Sequence, residues 1–240
     1  MPAMVRGLGS WPWFVSHEPI ISCVRKKPKS TFFITCTEAN EFLVLVVMNK
    51  DMSSWFVGHE PRPRNSYMEI GEIFFWTATI NQWQNLLWPD RYKDVVIGSL
   101  DYLSNAGKID VFGFVVMPNH VHLIWRTLEL NGKETAQGSF LKYTAHEFRK
   151  MLFKEDKKKL YSYKVDVNNK EHEFWQRDPL AIHLYTKKVA FQKLNYIHRN
   201  PLAERWQLVK DPCEYKYSSA KYYETNERNF SFLKDLRNEF

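Results

Sequence analysis

Two histidines one residue apart inside an apolar run, His120 and His122 in VFGFVVMPNHVHLIWR, constrain this chain more than any other stretch. Residues 109–117 are rich in β-branched and aromatic side chains, Pro118-Asn119 supplies turn chemistry, and a second apolar run continues to Arg126. The segment therefore predicts an antiparallel hairpin. Successive side chains of a strand point to opposite faces, so His120, His122 and Ile124 share one face, and Val121, Leu123 and Trp125 the other. Two imidazoles then converge on one point. An ordinary pair of hydrogen-bonded strand histidines would give the same spacing, so the motif alone does not decide between structure and chemistry.

The rest of the composition narrows the class. Aromatic residues make up 16% of the 240-residue chain and its formal charge is +7. Cations neutralise phosphates and rings stack on unpaired bases, which suits a polyanion such as single-stranded nucleic acid, although solubility charge accounts for the same excess. Cys23, Cys36 and Cys213 are scattered and odd in number, which argues against a disulfide framework and a zinc knuckle and fits a reducing cytoplasm. The longest apolar run, Phe42 to Met48, is too short to span a bilayer. We expect a cytoplasmic protein with no membrane partner.

Residues 1–67 are interrupted throughout by Pro, Gly and charge, and contain an echo: Trp13 to Pro19 (WFVSHEP) recurs as Trp55 to Pro61 (WFVGHEP). Docking motifs and a His/Glu metal site are two readings of it. We read it instead as translated repetitive DNA, with the functional chain beginning near Met68. From there the pattern is regular. Ile73 to Ile80 predicts a strand, and Pro89-Asp90 opens a helix to about Asn105. A helix from Ser139 to Phe153 carries Lys142, Arg149 and Lys150 opposite its apolar side, where a solvated face is the plain alternative to a nucleic-acid contact. Residues 154–173 form a lysine-rich, exposed insertion. Leu180 to Tyr185 is a short strand, Thr186 caps a helix stopped by Pro201, and residues 224–240 form a tail, either a small helix or loosely attached.

On the last helix Gln192, Tyr196 and Asn200 are spaced by four and share a polar face, while Val189, Ala190, Leu194 and Ile197 share an apolar one. Such a stripe also describes an amphipathic helix with a tyrosine at the core edge. Four blocks in order now bear on the choice: VVMPNHVHLIW, WQRDP at Trp175 to Pro179, YIHRNP at Tyr196 to Pro201, and YKYSSAKYY ending at Tyr223. Together they resemble the REP-associated tyrosine transposases, which belong to the single-tyrosine branch of the HUH nuclease superfamily. The likeness spans residues 68–223. It implies an α+β, ferredoxin-like (RRM-like) antiparallel sheet with helices packed on one face, and a homodimer. It also implies His120, His122 and Asn200 as ligands of Mg²⁺ or Mn²⁺, with Tyr196 as the nucleophile.

That assignment makes chemical sense. Free phenols titrate at about 10, so a tyrosine nucleophile needs neighbouring positive charge to favour its anion in the transition state. A divalent ion can supply it while polarising the scissile phosphate. Imidazole and amide donors suit Mn²⁺, whereas Mg²⁺ prefers oxygen. The implied reaction is cleavage of single-stranded hairpin DNA, of the repetitive extragenic palindrome kind, through a 5′-phosphotyrosine. Lys142, Arg149 and Lys150, together with Lys187, Lys188, Lys193 and Arg199 around the tyrosine helix, are the expected backbone contacts. The competing reading is a non-cleaving DNA- or RNA-hairpin-binding protein with the same fold. A His-x-His metal hydrolase barrel needs a longer chain and βα alternation that are missing here.

Overall fold

The computed structural model describes residues 68–167 and 170–240. The WFVSHEP/WFVGHEP echo and the rest of residues 1–67, on which the expected start near Met68 turns, lie outside the described residues. The elements run β1 (Ile73–Thr79), α1 (Asp90–Asn105), β2 (Ile109–Val116), β3 (His120–Thr127), α2 (Ala136–Glu155), α3 (Lys157–Tyr161), β4 (Lys164–Val167), β5 (Lys170–His172), β6 (Leu180–His183), α4 (Lys187–Arg199) and α5 (Ala220–Thr225). Strands order β2-β3-β1-β6 in an antiparallel sheet, while β4 and β5 form a separate hairpin. With β6 as the fourth strand this is the βαββαβ arrangement of a ferredoxin-like α+β domain, as expected from the sequence. Among the described residues no helix is long and apolar enough to cross a membrane.

Strand alternation divides the core in two. Phe74, Trp76, Val121, Leu123 and Trp125 join α1 and α2 through Tyr92, Val96, Leu100, Phe140 and Phe148. Ile73, Phe75, Val115 and Ile124 join Ala190, Leu194 and Ile197 of α4. Helices on one face were expected. The structure corrects this: α1 and α2 cover that face, and α4 lies on the other, because Phe75 and Ile124 give the histidine face enough apolar surface to dock a helix. Burying each such side chain stabilises by about 1.5–3 kcal/mol.

The close approach of α4 depends on Gly113. A Cβ there would lie 2.6 Å from Leu194 Cδ1 and 3.3 Å from Ile197 Cδ1, and the β2–β3 register shifts between Val111 and Gly113. Gly113→Val therefore pushes α4 away from the sheet at a cost of about 1–3 kcal/mol. The check is a urea midpoint: a variant as stable as the parent would show that α4 has slack there.

Some sequence expectations shift. Helix α2 begins at Ala136, with Thr135 rather than Ser139 as its cap; Thr135 Oγ1 accepts from the Gly138 amide at 3.1 Å. The insertion is partly ordered as α3, β4 and β5. Leu160 and Tyr163 are buried, and the Tyr163 ring lies 4.8 Å from that of Phe174, so two anchors suffice. Residues 224–240 are neither a regular helix nor loose. Phe230 and Phe232 pack on Phe114, Leu233 and Leu236 are buried, and buried Asp110 takes up Lys234 and Arg126, the latter also pairing with Glu239. Trp175 is a core anchor whose indole donates to Thr144 Oγ1 at 2.9 Å, and Arg177 pairs with Glu173.

Candidate active site

His120 and His122 sit on β3 with their rings 4.6 Å apart, only 2% and 6% exposed. Register supplies their supports: β1 runs antiparallel to β3 so that Thr77 faces His122 and Thr79 faces His120. Thr77 Oγ1 lies 2.7 Å from His122 Nδ1, and Asn119 Oδ1 lies 2.6 Å from His120 Nδ1. A carboxamide oxygen only accepts, so His120 Nδ1 carries its proton and Nε2 keeps its lone pair. Nδ1 of His122 can donate to the threonine hydroxyl in the same way. An outer hydrogen bond that fixes the imidazole tautomer is the usual support for a ligating histidine.

Burial also keeps both rings neutral. Desolvation, with the nearby Arg205 charge, brings His120 down to about 3 despite an opposing hydrogen bond to Asn200. Desolvation, then His120, Lys193 and Arg205, hold His122 well below the ordinary imidazole range. Neutral imidazole is the form that binds a cation.

Helix α4 brings the remaining groups. Thr186 caps it, accepting from the Val189 amide at 3.3 Å, and it ends at Arg199, where Asn200 begins a 3-10 turn containing Pro201. Its apolar stripe docks on the sheet, leaving Tyr196 47% exposed at the rim with its ring 5.5 Å from His122 and 6.1 Å from Phe75. Asn200, one turn later, is buried and hydrogen-bonded to His120. His198 points elsewhere, into the core, 2.8 Å from Ser219 Oγ. Tyr196, His120, His122 and Asn200 thus converge within one chain. Among the described residues no cluster of three or more His, Cys, Asp or Glu forms, so any ion here depends on two imidazoles and the Asn200 amide. Those donors fit Mn²⁺, and Mg²⁺ with several waters retained.

The basic residues divide. Lys193 belongs to the site, with Nζ 5.0 Å from the Phe75 ring centroid and 5.9 Å from that of Tyr196. Burial lowers its pKa from the usual lysine value. Lys187, Lys188 and Arg199 are exposed on the same helix, Lys187 donating to the Phe240 carbonyl. Lys142, Arg149 and Lys150 lie on α2, which packs on the opposite face of the sheet, and pair with Glu134, Glu171 and Glu147. The structure does not bring these three to Tyr196.

Sequence reasoning missed four contributors: Thr77, Asn119, Arg205 and Trp206. Asn119 read as turn chemistry, and the role of Thr77 depends on a register that composition does not reveal. Arg205 and Trp206 follow α4. The Trp206 ring lies 6.2 Å from His120, and its buried indole N–H has no partner.

No protein-family model and no curated protein matches this chain. Among solved structures it is similar to a REP-associated tyrosine transposase bound to a REP hairpin, at 18% identity and TM-score 0.47, covering 72% of this chain and 91% of that one. It is also similar to a candidate transposase of Deinococcus radiodurans R1, at 14% identity and TM-score 0.31, covering 56% of this chain and 94% of that one.

Proposed function

We propose that this chain is a metal-assisted DNA strand transferase of the single-tyrosine HUH kind, acting on single-stranded hairpin DNA. The observation that carries the reading is the convergence of a half-exposed Tyr196 on the buried His120/His122 pair. What supports the reading over a tyrosine merely at the core edge is its neighbours: Tyr196 stands at the mouth of a polar site, with its ring against His122.

In this reading Tyr196 Oη attacks the scissile phosphorus, the bond from phosphorus to the 3′ oxygen breaks, the phenolic proton leaves to solvent, and the departing 3′ oxygen takes a proton from solvent. The products are a 5′-phosphotyrosine and a 3′ hydroxyl, so a second 3′ hydroxyl can reverse the step without hydrolysis. A divalent ion held by His120, His122 and Asn200 would supply Lewis-acid polarisation of the phosphate. Lys193 supports the developing phenolate and, with Arg205, offsets phosphate charge. Thr77 and Asn119 keep the imidazoles in the ligating tautomer. Lys187, Lys188 and Arg199 hold the strand backbone beside the helix. The homodimer and a cytoplasmic setting belong to the same proposal.

The test is cleavage of a 5′-labelled hairpin oligonucleotide taken from the flanks of the gene. We expect a discrete product with Mn²⁺ or Mg²⁺ and none with excess chelator. Equal cleavage in chelator removes the metal from the mechanism. DNA binding without cleavage under every metal condition would favour the non-cleaving hairpin-binding reading.

A further inference from the structure

Residues 153–173 take no part in the site around Tyr196, yet they expose two large rings. Phe153, in the last turn of α2, is 58% exposed, and Tyr161, at the end of α3, is 71% exposed. Each carries a lysine over its ring: Lys157 Nζ is 4.9 Å from the Phe153 centroid, and Lys164 Nζ is 5.6 Å from that of Tyr161. All four side chains line one open cavity of about 210 Å³, together with Leu160 and His172.

Charge in this corner is unbalanced. Glu155 is held by Arg91, Asp156 caps α3, Glu171 pairs with Arg149, and Glu173 pairs with Lys170 and Arg177. Lys154, Lys157, Lys158, Lys159 and Lys164 have no carboxylate partner among the described residues, leaving Asp166 as the only unengaged acid of this stretch. Exposed rings beside free ammonium groups are what an unpaired strand needs, since bases stack on the rings and phosphates meet the cations. A duplex keeps its bases stacked inside and cannot use the rings.

We propose that the corner formed by the end of α2, α3 and the β4–β5 hairpin is a second nucleic-acid site that takes unpaired nucleotides of a single strand through Phe153, Tyr161, Lys157 and Lys164. It is separate from the site of chemistry, because α2 covers the sheet face opposite α4. It would hold single-stranded sequence beyond the segment lying at Tyr196.

The test needs no cleavage. Full-length protein in chelator is titrated into fluorescein-labelled oligothymidylate and oligouridylate of about thirty nucleotides, longer than the ~4–16 nucleotides one such site covers, and into a duplex of equal length. We expect Phe153→Ala/Tyr161→Ala to weaken binding of one or both single strands by at least about tenfold, while duplex affinity stays within about twofold. The two single strands distinguish DNA from RNA as the source of the nucleotides. Lys157→Gln/Lys164→Gln should flatten the dependence of log affinity on log salt by about 1.4, roughly 0.7 for each phosphate that is no longer neutralised. Single-strand affinity unchanged by the aromatic double substitution, or weakened equally for duplex, overturns the proposal. Because cleavage is not read, failure here leaves the assignment of Tyr196 standing, and failure of that assignment leaves this result interpretable.

Discussion

Replacing Tyr196 with Phe should abolish covalent capture of hairpin DNA and lower cleavage by at least about a thousandfold, while noncovalent affinity stays within about 0.5 kcal/mol. The substitution removes one hydroxyl from a half-exposed ring that rests against His122 and Phe75, so packing is almost untouched. A merely structural tyrosine would give the opposite pattern, with stability changed and chemistry intact. Gel separation of denatured protein bearing labelled DNA reads the adduct, and anisotropy of the same hairpin reads binding. An adduct persisting in the Phe variant would place the nucleophile elsewhere.

The second large effect concerns the imidazoles. His120→Ala and His122→Ala each should lower cleavage by more than about a hundredfold, with Mn²⁺ affinity abolished in a calorimetric titration. Thr77→Val removes the outer hydrogen bond to His122, and Asn119→Leu removes the one to His120 together with the Asn119 donation to the Trp83 carbonyl; both should fall within the 10- to 100-fold range typical of such supports. This ordering separates ligands from groups that orient them. Both histidines are buried, so truncation also opens space in the core, and the melting temperature of each variant is measured beside its activity. Cleavage undiminished in both alanine variants, with the fold retained, would remove the metal role.

Much of the site was legible because it rests on local periodicities. The two-residue period of a strand puts His120 and His122 on one face whatever the tertiary structure, and the four-residue spacing of Tyr196 and Asn200 places them one turn apart on any helix. Thr186 and Pro201 mark that helix at both ends through a side-chain acceptor and a missing amide. What failed was nonlocal or depended on competition between neighbours. Ser139 is the better cap by residue type, yet the earlier Thr135 is the one that caps α2. Which sheet face each helix covers follows from packing, so a basic stripe on α2 looked as relevant as the one on α4 until Phe140 and Phe148 proved to lie on the Trp76 side. Nothing local marks Gly113 either: its missing Cβ is what admits Leu194, a neighbour far away in the chain.

In the proposed reaction a single phenol performs the attack. The most direct test is tandem mass spectrometry of protease-digested protein after reaction with hairpin DNA and Mn²⁺, following nuclease trimming of the adduct. We expect a nucleotide 5′-phosphate on the peptide containing Tyr196 and on no other tyrosine. A nucleotide mapped to any other residue, or efficient cleavage with no protein-linked nucleotide at all, would contradict it.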